Sequence, residues 1–156
     1  MISRLAKLAF VVLVLLTGIP REAAASDAPE RRIALVIGNA AYPSGTLPTT
    51  ANDAGLIAQT LQAAGFDVMG ARDVDGDTLR HSLRDFIDKV TQSGPDTVAF
   101  VYLAGHGLQY EGETYFVPVD ARIDRDTDVP VHAVRLADYL RPLAAAQIKG
   151  RIVVLD

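Results

Sequence analysis

Three features of the sequence predict an α/β domain built on a mainly parallel sheet. Apolar runs of strand length lie at residues 33–37, at 98–104 and within the closing "RIVVLD". The runs are unbroken rather than alternating, which is how strands read when both of their faces are buried. Amphipathic helical stretches separate them. The order strand, helix, strand, helix, strand, helix, strand then implies right-handed crossovers and helices on both sides of the sheet, a three-layer arrangement.

Each element has its own signal. The strand at 33–37 ends in Gly38 and Asn39 and runs into a loop carrying Pro43, Gly45 and Pro48. In "TTANDAGLIAQTLQAAGF", Ile57, Leu61 and Ala64 share one helical face, and Gly65 stands where a C-terminal cap is expected. A short strand is predicted at 66–69. "DVDGDTLRHSLRDFIDKV" then spaces Leu79, Leu83, Phe86 and Val90 as one helical stripe, closed by "SGP" at 93–95. Beyond the strand at 98–104, "LQYEGETYFVPVD" alternates about Glu111 and Gly112 and predicts a small hairpin. "VRLADYLRPL" reads as a shorter helix that Pro142 should end or kink, and "RIVVLD" as a fourth strand.

Composition narrows the class. At 156 residues, 49% apolar and 22% charged, the chain has the make-up of a globular domain, neither disordered nor fibrous. Residues 1–25 read as a signal peptide: Arg4 and Lys7 precede an apolar run at 8–16, and Ala23 to Ala25 form a small-residue cleavage site. The run is well short of the ~20 residues of a membrane span, so no stable anchor is expected after cleavage, and the mature protein is expected to be secreted or periplasmic. The predicted organisation is a signal peptide at 1–25, a linker at 26–31 and one domain at 32–156. The whole chain has a net charge of −4; removing Arg4, Lys7, Arg21 and Glu22 takes away a net +2 and leaves −6. An acidic mature chain argues against a nucleic-acid partner. There is no cysteine, so no disulfide can staple the fold.

Parallel sheets bind ligands beyond the carboxyl ends of their strands, which points to Gly38 and Asn39, to Gly105, His106 and Gly107, and to Asp156. A histidine there can exchange protons near neutral pH, and Gly107 could aim an amide at a developing oxyanion. Equally, His106 could simply cap a strand or bond a loop carbonyl.

Five segments carry a resemblance: "ALVIGNAAY", "NDA" at 52–54, "VYLAGHG", "YFVPVDA" and "IVVLD". In order and approximate spacing they resemble the large-subunit region of caspase-like cysteine peptidases, especially bacterial and metacaspase-type members, over roughly residues 32–156. The resemblance implies a caspase-like fold, incomplete at its C-terminal side, and a protein or peptide substrate. It implies that His106 promotes thiolate attack and protonates the leaving amine, and that the Gly107 amide contributes to the oxyanion hole. The family's cysteine lies about 50 residues past the histidine. Asp156 is 50 residues past His106, and the family pattern puts the nucleophile two positions beyond it. By this reading the sequence is an N-terminal piece, inactive alone.

In metacaspase-like members, the acid of the "ND" pair and the acid two before the cysteine hold an arginine or lysine at the cleavage position. Asp53 and Asp156 match them, which implies cleavage after Arg or Lys. Caspases proper cut after aspartate and use basic residues there. Thr50 and Ala104 depart from the Cys and Ser of some metacaspases, which leaves the pocket's shape open. A plainer reading makes Asp53 a helix-capping acid, three residues after Thr50, and Asp156 a strand end.

Other features read as structural. "DVDGD" at 73–77 has its glycine at the fourth position rather than the sixth, so it reads as a turn and helix cap rather than a calcium loop. His81 should face solvent, and His132 should lie in a loop after Pro130. With His106 they make no metal-ligand spacing, so no metal site and no cofactor is expected, and only a calcium dependence of the family type stays open. Three functions fit: an exported caspase-like endopeptidase, a catalytically inactive caspase-like interaction domain, and an unrelated α/β binding domain in which His106 is structural.

Overall fold

A computed structural model describes residues 29–156. The signal-peptide reading of 1–25 and the first half of the linker lie outside the described residues. A four-stranded, wholly parallel sheet contains β1 (Arg31–Gly38), β2 (Asp67–Arg72), β3 (Thr97–Ala104) and β7 (Gly150–Leu155) in the order β2-β1-β3-β7. Arg31 already belongs to β1, so the strand begins inside the predicted linker. The second strand lies farther along than the predicted 66–69. Phe66 is occupied in ending the preceding helix, its amide donating to Leu61 O while Gly65 N donates to Gln62 O around a left-handed Gly65.

Alternate residues of β1 serve the two faces. Ile33, Leu35 and Ile37 pack with Leu79, Leu83, Phe86 and Val90 of α2 (Gly76–Gln92) and with Leu143 of α4 (Ala137–Ala145). Ala34 and Val36 meet Ala54 and Leu61 of α1 (Thr50–Ala63) on the other side. This is the three-layer arrangement, and the α2 stripe is the one the spacing predicts. The side chain of Asp75 caps α2 by accepting from Thr78 N at 2.7 Å, so "DVDGD" is a turn and helix cap.

A second sheet carries β4 (Gly107–Tyr110), β5 (Glu113–Phe116) and the two-residue β6 (Val134–Arg135). The predicted hairpin turns on Glu111 and Gly112, both with positive φ, the geometry of a tight two-residue connection. Three expectations are corrected here. Val134 and Arg135 form a strand rather than the start of a helix, because they pair with Phe116 and Tyr115. α4 runs three residues past Pro142 to Ala145; a proline five residues after the helix start lacks only one amide, and packing of Leu143 in the core keeps the segment helical. His132 closes a single helical turn, α3 (Val129–His132), instead of lying in a loop. His81 is exposed as predicted and pairs with Asp85 at 3.1 Å.

No described helix is long and apolar enough to cross a membrane. Phe86 is among the largest fully buried side chains, at the centre of the α2 face. Phe86→Ala should therefore lower stability by about 3–5 kcal/mol, read as a lower midpoint of denaturant unfolding with an unchanged slope.

Candidate active site

The carboxyl ends of β1, β3 and β7 meet at one edge of the sheet. Gly105 leaves β3 and donates its amide to Asp156 O at 3.0 Å, while Asp156 N donates to Leu103 O at 3.0 Å. The ends of β3 and β7 are thus locked side by side, and Gly105 and Asp156, 51 residues apart in sequence, become neighbours. On the other side, Asn39 N donates to Ala104 O at 2.9 Å and ties β1 to the same point.

Gly105 is required here. A Cβ at this position would lie 2.6 Å from Tyr42 Oη, 3.0 Å from Phe116 and 3.2 Å from Asn39, and its φ of +154° already disfavours a side chain. That close approach lets the chain turn His106 against the β1–α1 loop. The His106 amide donates to Tyr42 Oη at 3.0 Å, and the Tyr42 ring lies 4.4 Å from the imidazole. Tyr42 in turn donates to Val117 O at 2.9 Å, and burial raises its phenol pKa.

His106 Nε2 lies 2.6 Å from Gly45 O. A carbonyl can only accept, so Nε2 carries the proton and Nδ1 keeps its lone pair in the neutral ring. The loop-carbonyl contact anticipated by the structural reading is therefore present, and it also selects the tautomer that a general base needs. Hydrogen bonds among the described residues engage only Nε2 of this ring. The backbone adds a donor: His106 O accepts from Val117 N at 2.9 Å, and a trans peptide points its N–H opposite to its C=O, so the Gly107 N–H faces away from β5. An amide so placed beside an imidazole can serve a developing oxyanion while the ring moves the proton.

Asp156 Oδ2 accepts from Tyr102 Oη at 2.6 Å. Tyr102 is buried under α1, and its phenol is pushed up to about 12 by burial, by the bond and charge of Asp156 and by the charge of Asp53. Asp156 bonds this phenol directly, whereas Asp53 adds only a weaker through-space charge. Asp53 sits in the first turn of α1, but the cap position is Thr49 and makes no side-chain bond, so the Thr50–Asp53 capping arrangement does not form. Asp53 is exposed.

Sequence reasoning marked Asn39 only by its place past β1, without its bonds, and missed Asp73 as a supporting residue. Asn39 is fully buried, accepting from Val74 N at 3.0 Å and donating to Val117 O at 3.4 Å. Asp73, in a left-handed conformation, accepts from Ala40 N and Ala41 N, both at 2.8 Å, and these two bonds hold its carboxyl below the ordinary range. Only its place just past β2, at a strand's carboxyl end, could have flagged Asp73. A cavity of about 550 Å³ adjoins the imidazole, walled by Tyr42, Pro43, Val117 and Ile123. Among the described residues, no group of three or more His, Asp or Glu side chains is placed to hold a metal ion.

The family model described as the caspase domain matches residues 31–156. The chain belongs to the caspase domain family, a family of cysteine peptidases. No curated protein matches it.

Two outcomes follow from this geometry. Gly105→Ala should cost about 1–3 kcal/mol through forced displacement of Tyr42 and shift the His106 imidazole resonances in NMR spectra. Asp73 contributes stability that is complete above the ordinary carboxylate range and is lost as pH falls through its depressed native pKa. The stability difference between the protein and Asp73→Asn should therefore shrink on acidification in a pH series of denaturant unfolding; a constant difference would contradict this role.

Proposed function

We propose that this protein is a cysteine endopeptidase that cleaves after arginine or lysine and acts outside the cytoplasm after export. His106 is the general base and acid, the Gly107 amide an oxyanion donor, and Asp53 and Asp156 the acids that receive the cationic side chain. The nucleophile is a cysteine two positions beyond Asp156. The single observation that supports this reading is the junction at Gly105: its amide donates to Asp156 O, which sets the end of β7 beside the residue that precedes His106.

The chemistry then runs in order. The substrate's guanidinium or ammonium is drawn to the paired carboxylates, where charge-assisted bonds fix its register. Nδ1 of His106 takes the thiol proton, its ring held by Gly45 O. The thiolate adds to the scissile carbonyl, the oxyanion forms against the Gly107 amide, and Nδ1 returns the proton to the departing amine. Water then hydrolyses the thioester with the same imidazole as base.

The alternative is an inactive caspase-like domain that binds partners, with another residue in the place of the cysteine. One experiment separates the two. Coding sequence past Asp156 is read, and the gene product containing it is assayed on peptide reporters matched except for Arg, Lys or Asp at the cleavage position. Cysteine at the second position, faster hydrolysis of Arg and Lys reporters, and a loss of roughly 10⁴-fold or more in His106→Ala are expected. Another residue in place of the cysteine establishes the binding domain, and faster cleavage after Asp overturns the assigned specificity.

A further inference from the structure

We propose that Tyr102 is a positioning residue for cation recognition: its buried hydroxyl holds one oxygen of Asp156 and so aims the carboxylate at the substrate's side chain. This rests on the reading of Asp156 as a substrate acid. It adds a residue that neither catalyses nor touches the scissile bond.

Three observations carry it. First, the backbone of Asp156 is pinned on both sides, through its amide to Leu103 O and its carbonyl to Gly105 N, so only the side-chain torsions remain to be set. Second, Tyr102 Oη donates to Asp156 Oδ2 at 2.6 Å, the short length of a bond to an ionised acceptor, and this contact fixes those torsions. Among the described residues, Oδ1 accepts no hydrogen bond. Third, the phenol is itself rigid. Tyr102 lies mid-strand in β3, between Val36 of β1 and Val154 of β7, with its ring in the buried cluster beneath α1.

Without this donor, an exposed aspartate at the end of a strand would spread over several rotamers, and a substrate would have to select one. Pre-ordering one side chain removes that cost from binding. The phenol pKa is raised first by burial and then by the bond and charge of Asp156, in keeping with a buried hydroxyl committed to that carboxylate.

The test uses the full-length protein and two small probes of nearly equal shape, Nα-acetyl-arginine amide and Nα-acetyl-citrulline amide, which differ in charge. Binding of each is followed by NMR titration in the wild type, Tyr102→Phe, Asp156→Asn and the double variant, with thermal unfolding measured alongside. Phenylalanine retains the buried ring, so each variant is expected to fold. The wild type should prefer the arginine probe, and Tyr102→Phe should reduce that preference by about tenfold, the size of one hydrogen bond to a charged group. Asp156→Asn should reduce it at least as much, and adding Tyr102→Phe to it should change nothing further.

If Asp156→Asn abolishes the preference while Tyr102→Phe leaves it intact, the role of Tyr102 is overturned and the acid pocket stands. An equal effect of Tyr102→Phe in both backgrounds overturns it too, because the hydroxyl then acts independently of Asp156. If Asp156→Asn leaves the preference unchanged, the acid-pocket reading fails and this inference falls with it.

Discussion

The close approach of Gly105 to Tyr42 is the constraint on which the candidate site depends. With a Cβ excluded from that gap, the chain leaving β3 can turn sharply enough for two consecutive residues to contact three structural neighbours: Asp156 through the Gly105 amide, Tyr42 through the His106 amide, and Val117 through the His106 carbonyl. A bulkier residue would push the histidine away from the loop whose Gly45 carbonyl sets its tautomer. The functional geometry is therefore a packing result first and an electrostatic one second.

Around that point, the parallel sheet acts as a positioning device. β1 and β7 flank β3 directly, so the residues that follow each strand emerge side by side however far apart they lie in sequence. The two faces of the sheet have separate tasks as well. The α2 and α4 face is filled with large side chains and supplies most of the core, whereas the α1 face is lined with smaller ones and contains Tyr102. The face with less apolar bulk is the one that admits a polar group reaching toward the acids.

Much of this was legible in the sequence because it is periodic or local. Unbroken apolar runs gave the strands, the Leu79, Leu83, Phe86, Val90 stripe gave α2, and Gly65 marked the end of α1. His106 and Asp156 stood out because they follow such runs directly. What could not be read depends on contacts distant in sequence. Tyr102 looks like one more apolar strand residue until Asp156 is placed beside it, and Asp73 belongs to a turn until the amides of Ala40 and Ala41 arrive. β6 is too short to have a period, and α4 continues past Pro142 because of tertiary packing that no local rule contains.

The buried Asn39 has a consequence for motion. Through its amide and side chain it joins the end of β3, the start of α2 and the segment after β5 to the β1–α1 loop, and Tyr42 and Asp73 close the same circuit from either side. Loops around a binding site commonly fluctuate one at a time, each with its own opening free energy. Here, freeing one of them leaves a hydrogen-bonding group on another without its partner, which couples their openings. Opening of one loop thereby weakens the support of its neighbours, including the loop that His106 contacts through Gly45 O.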